Sequence, residues 1–341
     1  MHAIDLSKYG IQTDLILEQI LPYKGDKIIV NEYNDKGINV QKVRLLDDVK
    51  ELNKKKGDYT TISFLDATDK DNRQNLINIF GNELKDILKS TDIKDDYSCL
   101  VVGLGNKEST PDSLGPITLD SILVTRQFLL LNEPIEKGYR ITSKLTPGVM
   151  GDSGIETKDI ILGVIKKIKP DFMIVIDALR ASNINRVLKT IQLSNTGISP
   201  GSGVGNKRDE LSIETIGIPV ICIGVCTVVD SASVVIDTLH YMMKKLAYDQ
   251  KNIGRASNKL EVYKNYLDDD LELSRKEKKL YFGMLGELKE EEKRQLFLEV
   301  LNPIGYNLIV TPKDIDFQIK KISCVLATGI NKILHSNYDI S

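Results

Sequence analysis

The sequence predicts an α/β protein: a mostly parallel central sheet with helices on both faces, plus a small antiparallel β subregion near the N-terminus. Three observations carry that expectation. Continuous apolar, β-branched runs, CLVVGLG (99–105), FMIVIDA (172–178) and PVICIGVCTVV (219–229), read as strands covered on both faces. Helix-like stretches at 114–131, 154–169 and 231–247 alternate with those runs. Upstream, KIIVNEY, INVQKVRL and DYTTISF alternate in polarity between turn signals at Asn34, Gly37 and Gly57, as antiparallel strands do.

In chain order, residues 1–25 read as an irregular arm and 26–65 as the antiparallel strands. Residues 97–245 form the α/β body. A charge-dense stretch at about 246–295, containing DDDLELSRKEKKL and ELKEEEKRQ, reads as a solvated helical excursion or flexible insert within one domain spanning 15–341. NLIVT (307–311) supplies a further short strand, and 313–336 a closing helix.

With 41% hydrophobic and 28% charged residues in 341, the chain has enough apolar side chains for a core. A net charge of −2 supplies no basic field for holding nucleic acid, so no direct nucleic-acid binding is expected. No basic segment leads into an apolar one at the start, and no apolar run reaches the roughly 18 residues of a membrane helix. The expectation is a cytoplasmic protein without a membrane partner. Cys99, Cys222, Cys226 and Cys324 are scattered and read as reduced thiols, three of them in apolar runs.

Polar chemistry gathers where the apolar runs end, the edge at which open α/β sheets place their sites. The first run leads into Gly103-Leu104-Gly105-Asn106 and on to Asp112, just before a helix. Asp112 suits either an N-cap or a functional acid. The second run ends at Asp177, where a carboxylate is held partly desolvated at the sheet's carboxyl edge. Two such acids can divide general-base and general-acid roles around a water, or hold a divalent metal through oxygen. Their spacing in sequence does not establish that they meet.

Two more glycine-dense loops follow, one with Gly148 and Gly151, the other with Gly201, Gly203 and Asn206. GDSG invites Ser153 as a nucleophile, but a triad needs a positioned histidine. The chain has three, His2 at the start and His240 and His335 at expected helix ends. GSGVGNK matches neither a dinucleotide fingerprint nor a phosphate loop. No HExxH is present, and Cys226 has no evident base.

Taken together and in order, TDLILE, GLGN…TPDSLGP, TPGVMGDSGIET, DALRAS, TIQLSNTGISPGSGVGN, GIPVICIGVCTVVD and NLIVTPKDID closely resemble the germination protease family of spore-forming bacteria. The resemblance covers about 11–335 and is weakest in the charged insert. It implies an endopeptidase of the spore core that degrades small acid-soluble spore proteins, needs no cofactor, forms a homotetramer and is made as a self-processing zymogen. Its substrates are cut between an acidic and an apolar residue, which implies a propeptide of 1–14 and cleavage between Asp14 and Leu15. The family is distantly similar in fold to hydrogenase-maturation proteases. That comparison makes Asp112 and Asp177 the catalytic pair, with either an activated water or a divalent metal between them. Arg180 departs from the small residue expected after DAL and is expected to tune the site or favour an acidic side chain before the cleaved bond. Backbone amides of Gly103–Asn106 or Gly148–Gly154 would stabilise the oxyanion.

Overall fold

A computed structural model describes residues 13–20, 27–49, 54–131, 133–200, 209–255, 266, 271–301 and 308–338. In chain order the elements begin with α1 (Ile16–Ile20), β1 (Ile28–Asp35), β2 (Ile38–Leu45), β3 (Gly57–Ser63), α2 (Lys70–Ser90) and β4 (Cys99–Gly103). A 3-10 turn (Thr110–Asp112) precedes α3 (Leu114–Asp120), α4 (Arg126–Leu130), β5 (Thr142–Leu145), α5 (Met150–Ser153) and α6 (Thr157–Ile168). Then come β6 (Phe172–Ala181), β7 (Thr190–Ser194), α7 (Ile213–Ile216), β8 (Val220–Asp230) and α8 (Ser231–Lys251). The last are α9 (Arg275–Phe282), α10 (Glu290–Leu301), β9 (Ile309–Val310) and α11 (Ile315–Leu334). No described helix is long and apolar enough to cross a membrane.

The chain divides into two compact units, one within 12–181, 185–228 and 311–341, the other within 182–184 and 229–310. In the larger unit the strand order is β1-β2-β3-β7-β8-β6-β4-β5. β4 pairs in parallel with both β5 and β6. β8 lies beside β6, and both enter at one edge, where Met173 N donates to Pro219 O at 2.9 Å. The apolar runs 99–103, 172–177 and 220–228 are buried throughout, as strands between two helical layers must be. The antiparallel strands expected upstream extend this same sheet, joined to it by β7, whose TIQLS was not recognised as a strand from sequence.

Alternation along each strand decides which helix it meets. Leu100 and Val102 of β4 with Met173 and Val175 of β6 face α6, where Ile161, Leu162 and Ile165 pack on them. The opposite face of β4 meets α3, and α11 packs on both α2 and α3. Helix α2 was not anticipated, although Asp69 caps it by accepting from Asn72 N and Leu76, Phe80, Leu84 and Ile87 keep helical spacing. The single helix expected over 114–131 is broken. Buried Asn331 of α11 staples the break, donating to Ser121 O at 2.9 Å and accepting from Leu123 N at 3.0 Å.

In the smaller unit, Leu239, Met243 and Ala247 of α8 form a core with Leu273, flanked by Phe282 and Phe297. Over its described residues 271–295, the charge-dense stretch therefore contains helices with an apolar face. His240 lies inside α8 and not at a helix end. Asp230 caps α8 through Ser233 N, and its second oxygen accepts from Arg294 at 2.6 Å. Arg294 also donates to Ser233 Oγ at 2.9 Å. Both charges are almost fully buried. Asp230→Ala removes the cap and leaves the Arg294 guanidinium uncompensated, so it is expected to cost about 3–5 kcal/mol. Chemical denaturation measures this, and Asp230→Asn, which keeps a capping oxygen, should lose less.

Candidate active site

β4 delivers its exit loop against the start of α3 by omitting side chains. A Cβ on Gly103 would lie 2.6 Å from the carbonyl carbon and oxygen of Gly115, so the strand and helix touch backbone to backbone. Gly105 has φ +107, and a Cβ there would lie 2.0 Å from the Asp112 carbonyl oxygen and 3.0 Å from its Oδ1. The 3-10 turn is thus folded down on Gly105. Asn106 N donates to Asp112 Oδ2 at 2.9 Å, and Asn106 Oδ1 accepts from Glu108 N at 2.8 Å. The N-cap of α3 is Ser113, so capping does not explain Asp112.

The same loop is sewn to β6. Leu104 N donates to Ile176 O at 2.8 Å, and the β4–β6 pairing ends at Gly103 opposite Ile176. Asp177 is the next residue. β6 does not stop there, as expected from sequence, but runs on to Ala181. Asp177 is therefore a buried, mid-strand acid standing just past the end of its neighbour, 6% exposed. Its Oδ1 accepts from Ala178 N at 2.9 Å. The turn carrying Asp112 packs against β6, so both acids belong to one corner of the sheet. On β8, burial pushes the Cys222 thiol up to about 12, opposed by the Ser194 hydrogen bond and aided by the nearby Asp177 charge. Asp177 follows Met173 and Val175 in strand alternation and so lies on the face that packs with Cys222.

The segment starting at Thr13 is fastened to the β6 extension. Asp14 N donates to Arg180 O at 3.1 Å, and Arg180 N donates to Asp14 Oδ2 at 2.9 Å. The Asp14 carbonyl accepts two side chains, Lys54 Nζ at 2.9 Å and Gln192 Nε2 at 3.1 Å. Gln192 also accepts from Ile16 N at 2.8 Å. Thr13 Oγ1 accepts from Leu15 N at 3.1 Å and donates to Glu18, which pairs with Arg186 at 3.3 Å. Leu15 and Ile16 are fully buried, and Ile16 joins Val43, Leu45 and Tyr59 in a local core. Desolvation lowers the pKa of the Lys54 ammonium, opposed by the Asp14 charge. Gln192 lies opposite Gly224 in the β7–β8 pairing, so the segment it holds crosses the face of β8 that carries Cys222, Gly224 and Cys226. Burial raises the Cys226 thiol, with Glu18 and Asp14 adding to it.

The residues singled out from sequence thus fall into groups. Gly103, Gly105, Asn106, Asp112 and Asp177 come together; Asp14, Leu15 and Arg180 form the adjoining contact. The Asn106 amide is already engaged by Asp112. In the Gly148–Gly154 loop, which follows parallel β5, the amides of Asp152, Ser153 and Gly154 close the short α5. Ser153 and Gly151 are exposed, and among the described residues the Ser153 hydroxyl bonds locally, to Ile155. Gly201, Gly203 and Asn206 lie outside the described residues. Cys99, Cys222 and Cys226 are buried, while Cys324 is exposed. His335 ends α11, where its Nδ1 accepts from Arg140 N at 3.2 Å. Among the described residues no three His, Cys, Asp or Glu side chains gather as a metal-ligand set. Lys54 and Gln192 were missed. A glutamine inside the otherwise strand-like TIQLS was the available signal for one of them.

A family model for germination protease matches residues 18–341. The germination protease of Priestia megaterium is 44% identical over 358 residues, covering 98% of this chain and 96% of the relative. That of a Geobacillus species is 43% identical over 363 residues, covering 99% and 97%. Among solved structures, a NiFe hydrogenase maturation protease from Thermococcus kodakarensis matches with 17% identity over 42% of this chain and 80% of its own, at a TM-score of 0.27. Matches of this extent to the family model and to full-length relatives define a peptidase. The chain belongs to the germination protease family.

Gly105→Ala tests the corner. The new methyl meets backbone at a left-handed φ, so the Asp112 turn must move, at a cost of about 1–3 kcal/mol in unfolding free energy. Gly148→Ala, with open space around its Cβ position and only φ +73 to strain it, is expected to lose less in the same denaturation assay.

Proposed function

We propose that this chain is the endopeptidase that begins the degradation of small acid-soluble spore proteins in the spore core during germination, and that Asp112 and Asp177 activate the attacking water. The observation that carries this reading is the corner itself. The Asp112 turn docks on Gly105, the Gly105 loop bonds to Ile176, and Asp177 follows immediately. Two carboxylates of unlike exposure suit a divided role: each accepts a backbone N–H, but Asp177 is buried within a strand whereas Asp112 sits half-buried on a turn. In this reading one takes the proton of the water and the other protonates the departing amine.

The same reading makes the chain a zymogen, cut between Asp14 and Leu15, and a homotetramer. What supports the processing site is the clasp on the Asp14 carbonyl. Lys54 and Gln192 donate to the oxygen that would become the oxyanion, as preorganised donors do in acyl-transfer sites. An acidic residue followed by two buried apolar ones also fits the acidic–apolar cleavage sequence of the substrates.

Incubation of the processed enzyme with a purified acid-soluble spore protein tests the assignment. Asp112→Asn and Asp177→Asn are each expected to slow cleavage by about 10²–10⁴-fold with an unchanged circular-dichroism spectrum. Full activity in either variant removes that acid from the mechanism, and cleavage abolished by a chelator and restored by a divalent ion replaces the water-only form with a metal-assisted one. Amino-terminal sequencing of the self-processed chain is expected to begin at Leu15.

A further inference from the structure

Strand β1 is an edge that the described structure leaves uncovered. It comes first in the strand order, and among the described residues no strand pairs its outer side. Seven of its eight residues are exposed, on both faces. Among them are Ile29, Val30 and Tyr33, 45%, 46% and 40% exposed. The strand carries no proline and no lysine within its span, two of the usual devices that keep edges apart. Tyr33 is held in place, donating to Glu83 Oε1 of α2 at 2.8 Å.

The hairpin fixes which backbone groups point outward. Asp35 pairs with Ile38 around the two-residue turn Lys36-Gly37, both at positive φ, so 35, 33, 31 and 29 bond to β2. The N–H and C=O groups of 28, 30, 32 and 34 therefore point away from the sheet. A second antiparallel strand must use those even-numbered residues. For a strand meeting a copy of itself, one register suits the side chains: Val30 opposite Glu32, with Asn31 facing Asn31 on the two-fold axis. Ile29 then faces Tyr33 on both sides of the axis, a β-branched and aromatic pair of the kind that stabilises sheets. Lys27, which pairs with Asp47 at 2.8 Å within its own chain, comes opposite Asp35 at both ends, so a cation meets an anion across the axis. A shift of two residues one way sets Glu32 against Glu32, and the other way leaves Asn34 and Asp35 beyond the paired stretch.

We propose that the outer edge of β1 is a two-fold interface between copies of this chain, paired antiparallel about Asn31, so that the two sheets become continuous. It rests on the proposed multimeric assembly and names one surface that builds it. Asn31 would face its copy as a non-hydrogen-bonded pair, with Cα atoms about 4.5 Å apart. That separation lies within the range a disulfide bridges.

The full chain carrying Cys324→Ser, to remove the exposed thiol, and Asn31→Cys is oxidised and run on a non-reducing gel. A reducible band at twice the chain's mass is expected. Light scattering on Val30→Pro, which removes an outward N–H without touching a β1–β2 bond, is expected to show half the wild-type number of subunits. If the wild type is multimeric but the Asn31→Cys thiols stay free, or link only to a different protein, the interface is wrong while the assembly stands. A folded Val30→Pro chain with wild-type mass also overturns it. A monomeric wild type overturns both. Should Val30→Pro fail to fold, the cross-link alone decides.

Discussion

The site depends on how closely α3 approaches β4. Gly103, Gly105 and Gly115 carry no Cβ, and any one added would press into backbone between 2.0 and 2.6 Å away. Because strand and helix meet main chain to main chain, the intervening turn has nowhere to lie but on Gly105. Asp112 is fixed there by backbone contacts, which do not change rotamer as a side-chain perch would. The Leu104–Ile176 bond then ties the loop to β6 one residue before Asp177. Anchoring through main chain sets the position of the Asp112 turn before any ligand arrives.

The second fixed feature is the Thr13–Glu18 segment, which is part of the core as much as it is a terminus. Its side chains fill a local core under β2 and β3, and its main chain is held by Arg180, Gln192 and Lys54. Arg180, expected to tune the site or to favour an acidic side chain before the cleaved bond, meets Asp14 through its backbone N–H and C=O. These contacts run along the cysteine face of β8, where small residues leave room. Gly224 there admits Leu179, with a hypothetical Cβ only 2.3 Å from the Leu179 side chain.

Much of the fold was legible because covered parallel strands have a distinctive composition. CLVVG, FMIVI and VICIGV carry no charge, and the structure buries every residue of them. The short, amphipathic β5 and β7 lack that signature, so they were not recognised, and with them the link between the two halves of the sheet was missed. The break after Asp120 was illegible for a different reason: it is enforced by Asn331, two hundred residues away. At the site, Gly103, Gly105, Asp112 and Asp177 stood out because glycine and aspartate are costly in buried strand ends without a reason. Lys54 and Gln192 did not, because a lysine among lysines and a glutamine in a strand gain meaning only when a distant carbonyl arrives.

One pairing also sets an order on how the molecule is made. β3 bonds to β7, with Tyr59 opposite Ser194, while everything between them builds the parallel strands and their helices. During synthesis from the amino end, the β1–β2–β3 meander emerges early, and its inner edge waits with unmet hydrogen bonds until β7 leaves the ribosome. Long-range closure of this kind is slow, because loop entropy is lost before the contacts form. A nascent chain of this fold therefore holds two open strand edges from the completion of β3 at Ser63 until β7 emerges at Thr190–Ser194. Crowded translation would expose those edges to mispairing long before any peptide bond is cut.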